Sequence, residues 1–332
     1  MRIGLNFRIG NLSVFDGNSA VMRSIARSLG LYSSDHSVDL IVDSEPALAL
    51  PYGSNATFHM IRPFPVLNRV LRRLLGGDPW YRLRLPLDRR WRALDAYICN
   101  AHEEPPVISG PPRIPIVHDL AFMLDDAERF FSREHIEYLD WCTAANVHAS
   151  SRIIAVSETT ARDIVRIYGV PAEQVCVLLN AHDADIFNPD IDAQTVQRTL
   201  VEYEINRPFF LHVGTIQPRK NISTILRAFD AFLAAGGKHQ LVLVGSQGWS
   251  GEKRAESDLS NVTSMKNVHP LGSLDTEQIA CLMTSADALV MAGFYEGFGL
   301  PALESMACGT PVLAANAGAL PEVVGNGGIL FD

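Results

Sequence analysis

Along nearly the whole chain, short apolar runs alternate with longer stretches whose apolar positions recur at helical spacing. "RIGLNF" (2–7), "VDLIVDS" (38–44), "DAYIC" (95–99), "RIPIVHD" (113–119), "RIIAVSE" (152–158) and "QVCVLLN" (174–180) read as strands, the last of them buried. Helical spacing appears near 18–29, across 133–151, and from Ser157, a capping residue, to Tyr168, where Gly169 stops it. The polar passage 181–208 breaks this rhythm and reads as a linker with one short helix. The alternation then resumes: strands at 209–215, 240–246, 267–272 and 286–292, helices near 221–234 and 275–284. This order predicts an α/β protein of two Rossmann-like, doubly wound domains, at 1–182 and 208–332, joined by a linker at 183–207. Ligands gather at the carboxyl ends of the strands in such sheets, so the expectation is two sheets facing a central cleft. The closing "NGGILFD" reads as a turn running into a strand, which leads us to expect a second domain without its last helix.

Composition narrows the class. A chain of 332 residues, 47% hydrophobic and 20% charged, suits a globular enzyme with two cores. No apolar run reaches the roughly 18 residues that span a bilayer, and "MRIGLNFRIG" carries no signal-peptide stretch, so a cytoplasmic protein is expected. Five scattered cysteines offer neither a zinc pair nor an activated thiol, and no metal is expected. The net charge of -9 is uneven: residues 1–182 carry nineteen arginines against twenty acids, while 183–332 carry nine basic residues against seventeen acidic ones.

The stretch "FYEGFGLPALESMACGTPVL" (294–313) concentrates the chemistry. It follows a strand, and Pro301 suits the first position of a helix that Gly309 ends. Glu296 then sits on the strand-to-helix loop with Gly297, Phe298, Gly299 and Leu300, and Glu304 lies about one turn into the helix. A helix N-terminus flanked by glycines favours anions, diphosphate included, and two carboxylates beside it accept hydrogen bonds from sugar hydroxyls. A nucleotide sugar offers both groups. In a plainer reading, Glu304 complements the helix dipole and Glu296 is a solvated loop residue.

With seven residues between its two glutamates, this stretch resembles the retaining glycosyltransferases of family 4, which have the two-domain GT-B fold. The likeness continues through "VSETTARDIVRIYGVPAEQVCVLLNAHDADIFNP" and "HVGTIQPRKNISTILRAF", about two-thirds of the chain. The loop "GTIQPRKN" places Arg219 and Lys220 after the strand that ends at Gly214, where two cations can neutralise a departing nucleoside diphosphate. The resemblance implies that Lys220 is the phosphate-binding lysine. Thr215 stands where the family often has an arginine, and Arg219 supplies a guanidinium instead. It further implies that His118, at a strand end, orients the transferred sugar. Gly17, in "FDGNSA", would let the backbone approach a phosphate or acceptor, and equally suits an ordinary turn. Gly245 and Leu271, ending strands of the second domain, are expected to wall the base pocket. "NAHD" (180–183) departs from the family's NGVD at the expected hinge.

Residues 62–92 hold nine arginines against Asp78 and Asp88, an island that suggests an anionic partner. "VLNRVLRRLLGG" (66–77) sets Val66, Leu67, Val70, Leu71, Leu74 and Leu75 on one helical face flanked by Arg69, Arg72 and Arg73. That pattern suits an anionic membrane surface and also an ordinary core-packed helix; nucleic acid is disfavoured by the acidity elsewhere. The expectation is thus a hexosyltransferase of polysaccharide or O-antigen synthesis, peripheral to the membrane. GDP-mannose is the first donor candidate, a UDP-glucose-type sugar the second, and the acceptor a glycan or lipid-linked glycan. A GT-B epimerase or phosphorylase, or a non-catalytic sugar-nucleotide binder, are the alternatives.

Overall fold

The computed structural model describes residues 1–8, 17–32, 35–45, 55–64, 68–246 and 265–332, which divide into two units, Met1–Leu179 and Asn180–Asp332. In the first, strands β1 (Arg2–Asn6), β2 (Ser37–Val42), β3 (Ala56–Met60), β4 (Ala96–Asn100), β5 (Arg113–Val117), β6 (Ile153–Ala155) and β7 (Val175–Val177) form one parallel sheet in the order β3-β2-β1-β4-β5-β6-β7. Parallel strands are joined by crossovers, here helices α1 (Gly17–Tyr32), α2 (Asn68–Leu75), α3 (Arg89–Arg92), α4 (Arg133–His148) and α5 (Glu158–Tyr168). Leu40, Ile41, Ile116, Val117 and Ile153 are almost fully buried, as strands covered on both faces require. Ser157 accepts the Thr160 N–H and caps α5 as its position predicts. β7 differs from the buried strand expected: it is the sheet's edge, and Leu178 and Leu179 just beyond it are about half exposed. Val66 and Leu67 of the arginine-flanked stretch, and Asp16 before Gly17, lie outside the described residues.

The second unit carries helix α6 (Ala193–Glu202), strand β8 (Phe209–Val213), α7 (Ile222–Ala234), β9 (Gln240–Val244), β10 (Val268–Gly272), α8 (Thr276–Ser285), β11 (Ala288–Met291), α9 (Leu300–Ala307), β12 (Val312–Ala315), α10 (Leu320–Val324) and β13 (Gly328–Phe331). Its six strands are parallel, in the order β10-β9-β8-β11-β12-β13. Side chains alternate across each strand, so the sheet has two apolar faces. Leu241 and Leu243 pack on Ile225, Leu226 and Phe229 of α7, while Val242, Leu289 and Met291 pack among residues of α6, α8 and α9. The passage 183–207 is therefore more than a polar linker. Phe187, Val196, Leu200 and Ile205 are buried in the same core as Phe209 and Leu211, and the polar residues between them cover its outer side.

In both sheets the chain steps outward in one direction from a central strand and then returns to build in the other. The reversals fall between β1 and β4 and between β8 and β11. At such a switch point adjacent loops leave the strand ends in opposite directions and open a crevice.

Candidate active site

Two loops meet at the carboxyl ends of β8 and β11. The first, 214–221, turns through a short 3-10 helix, Pro218–Lys220, before α7. The second, 292–299, leads into α9, with Pro301 in its first turn. Their backbones are tied directly, since the Phe294 N–H donates to the Arg219 carbonyl at 3.0 Å. The Arg219 guanidinium returns the contact, Nη1 donating to the Tyr295 carbonyl at 2.6 Å. Lys220 Nζ donates to Glu296 Oε1 at 2.6 Å, and Arg219 Nη1 lies 3.7 Å from Glu296 Oε2. Both cations therefore converge on one carboxylate, itself only 7% exposed. A buried carboxylate needs such partners, because desolvation disfavours its charge. The solvated-loop reading of Glu296 does not hold.

Glycines set the position of Glu296. Gly318 has φ of +58°, and a Cβ there would stand 2.5 Å from the Glu296 carbonyl oxygen. The next residue, Ala319, donates its N–H to that oxygen at 2.9 Å. Gly299 caps α9 with φ of +99°, which a side chain disfavours, and its Cβ would meet Leu320 at 2.8 Å. α9 starts at Leu300, so the N–H groups of its first turn lie in the same loop as Glu296. Glu304, one turn on, is desolvated, which pushes its carboxyl up to about 7. Its side chain makes no hydrogen bond among the described residues, in contrast to Glu296.

Sequence reading missed His212, on β8 two residues before Gly214. It is 1% exposed, and its Nδ1 lies 2.9 Å from the Val290 carbonyl. A carbonyl only accepts, so Nδ1 carries the proton and Nε2 the lone pair. That Nε2 is buried without a hydrogen-bond partner and borders the space beside Gly214 and the Lys220 stem. Burial, with Lys220 nearby, lowers the imidazole to about 4 and keeps it neutral at physiological pH. Its signal in the sequence was only its place at a strand end.

Gly245 and Leu271 lie farther along the same sheet edge. Gly245 presses on the Gly214 carbonyl, where a Cβ would stand at 2.1 Å, so the glycine answers a close backbone approach. Leu271 packs partly buried against the core. In the first unit, His118 follows β5, 7% exposed, with Nε2 unpartnered and the ring lowered to about 4 by burial and by His102. Gly17 opens α1 in open space, so nothing described around it demands a glycine. At that unit's own switch point Glu103, also missed, accepts from Asn6 Nδ2 at 2.6 Å and from the Asn100 N–H at 2.9 Å, and burial pushes it up to about 8.

Residues 17–186 match the family described as Glycosyltransferase Family 4, and residues 199–332 match glycosyl transferases group 1. Over 217 residues the chain is 29% identical to O-antigen chain mannosyltransferase B of Escherichia coli, covering 65% of this chain and 56% of that one. The chain thus spans little more than half of that relative, and 27% of a serotype-specific mannosyltransferase of the same organism. Two solved structures share the fold at 19% identity, each covering 99% of this chain and 85% of its own. They are HepE of Anabaena in complex with UDP and glucose, with a TM-score of 0.71, and sucrose-phosphate synthase of Thermosynechococcus elongatus, with 0.73.

The Glu304 shift has a measurable consequence. The carboxyl titrates near 4.5 when unfolded and near 7 when folded, so its stabilising share is complete below pH 4.5 and is lost as pH rises through 7. Glu304→Gln, which cannot ionise, should match the native protein at pH 4.5 and exceed it by up to about 3 kcal/mol at pH 8. Denaturant unfolding at both pH values checks this; an equal difference at both would contradict the burial.

Proposed function

The chain belongs to glycosyltransferase family 4, and on that premise we propose that it moves a hexose, with retention, from a nucleoside-diphosphate sugar to a glycan or lipid-linked glycan. The observation that carries this reading is the convergence of Lys220 and Arg219 on Glu296 at the sheet's switch point, beside the first turn of α9. Two cations and a helix N-terminus suit a diphosphate, and carboxylates suit sugar hydroxyls. Lys220 and Arg219 hold the diphosphate, Glu296 and the 297–300 loop hold the transferred sugar, and Glu304 takes the ribose. Gly214, Gly245 and Leu271 line the nucleotide's side of the loop set.

No enzymatic nucleophile is needed. The bond from the sugar's anomeric carbon to the phosphate oxygen breaks, and the acceptor oxygen bonds to that carbon on the same face. The acceptor's proton passes to the leaving phosphate. Negative charge gathers on the diphosphate as that bond breaks, and two fixed cations stabilise it there. Burial and His102 hold the His118 imidazole down to about 4, which makes it a weak base, so it orients a hydroxyl by hydrogen bonding.

Mannose from GDP-mannose is our first donor, from the mannosyltransferase relative. UDP-glucose is the second, favoured by the neighbour holding UDP and glucose. Nucleotide-dependent thermal stabilisation, followed by nucleoside-diphosphate release from each sugar nucleotide, separates them. We expect saturating GDP or GDP-mannose to add about 2–3 kcal/mol of stability at a hundredfold excess over Kd. Stabilisation by UDP compounds alone would move the assignment to the second donor, and no response to any nucleotide would overturn the reading.

No described helix is long and apolar enough to cross a membrane. On α2, Leu74 is 76% exposed beside exposed Arg72 and Arg73, an arrangement that suits an anionic surface. The protein should cosediment with phosphatidylglycerol-containing vesicles at low salt and lose them in 0.5 M NaCl, where the Debye length falls to about 4 Å. Leu74→Asp should weaken that binding without unfolding the protein; unaltered binding would remove α2 from the contact.

A further inference from the structure

We propose that Glu296 opposes binding of the nucleoside diphosphate while it serves transfer of the sugar, so that it distinguishes the intact donor from the spent product. The inference rests on the assignment of Lys220 and Arg219 to the diphosphate. It starts from a plain count of charge at the site: two cations and one carboxylate, all largely buried. Glu296 holds Lys220 at 2.6 Å and Arg219 at 3.7 Å, so the cations that meet the diphosphate already share an anion.

That carboxylate cannot easily retire. Gly318 and Ala319 brace the Glu296 backbone, Gly293 stands 3.0 Å from Oε1 at the place of a Cβ, and the Arg219 guanidinium is tied to the Tyr295 carbonyl. Lys220 is the mobile partner, a point charge on a flexible stem. His212 beneath it is neutral and adds no positive charge to offset the carboxylate. An incoming diphosphate therefore either competes with Glu296 for the Lys220 ammonium or lies close to a fixed negative charge.

With the intact donor this cost is offset, because the sugar's hydroxyls donate hydrogen bonds to Glu296 as Lys220 turns to the phosphate. Once the sugar has left, the nucleoside diphosphate brings more negative charge and no such donors. Glu296 then faces an anion across a shared cation. The same carboxylate thereby favours donor binding and product departure.

Calorimetric titration of GDP and UDP into the native protein, Glu296→Gln, Lys220→Ala and the double variant tests this. At an effective dielectric of about 20, removing a charge that lies across one shared ammonium, roughly 6–7 Å from the phosphate, should tighten nucleoside-diphosphate binding at least about tenfold. Lys220→Ala should weaken it. In the Lys220→Ala background the gain from Glu296→Gln should shrink, because the two act through one contact. The gain should be absent for the intact sugar nucleotide. If Lys220→Ala weakens binding while Glu296→Gln leaves it unchanged or weaker, the inference fails and the site assignment stands. If neither nucleotide binds, or Lys220→Ala has no effect, both fail. Should Glu296→Gln not fold, Glu296→Asp, which withdraws the charge by one methylene, must tighten binding by a smaller factor or the inference fails.

Discussion

An ammonium and a carboxylate held at 2.6 Å, both mostly hidden from water, need a protein around them built to keep them together. Burying either charge alone is unfavourable by several kcal/mol, and together they persist only where geometry is good and remaining lone pairs are satisfied. The Lys220–Glu296 pair meets this through its two loops. The Phe294–Arg219 backbone bond, the Arg219–Tyr295 bond and the Gly318–Ala319 brace each fix one part of it. The glycines at 293 and 318 follow from that demand, since a side chain at either would crowd Glu296 itself.

The sheet supplies the setting. Strands β8 and β11 are neighbours from which the chain departs in opposite senses, so their loops can meet over the strand ends. His212 and Val290, on those two strands, are joined by a hydrogen bond directly below the loops. Glu304 comes from the next element in chain order, α9, and stays without a partner of its own among the described residues. One glutamate is satisfied by the protein, and the other makes no hydrogen bond among the described residues. The equal spacing of the motif conceals that difference, which only the fold reveals.

Much of this was legible beforehand. Strong apolar runs with clear stops, such as 209–215 and 240–246, became strands, and Ser157 and Pro301 stand at helix starts. Arg219, Lys220, Glu296 and Gly297–Leu300 do come together. What escaped had weak local signals. β3 and β12 are short and carry few large apolar residues, and β12 owes its place to pairing with β11 and β13. α6 looked like linker because its polar face dominates the composition, while Val196 and Leu200 turn inward. The ion pair itself joins residues 76 positions apart, beyond the reach of any periodicity. His212 and Glu103 sit at strand ends whose meaning depends on strand order.

The account stands or falls on where the diphosphate goes. A crystal structure of the protein with GDP or UDP should place phosphate oxygens within hydrogen-bond distance of Lys220 Nζ and the Arg219 guanidinium, with the ribose against Glu304. A diphosphate bound elsewhere, with Lys220 still donating to Glu296 and the Glu304 carboxyl without a ligand, would contradict it.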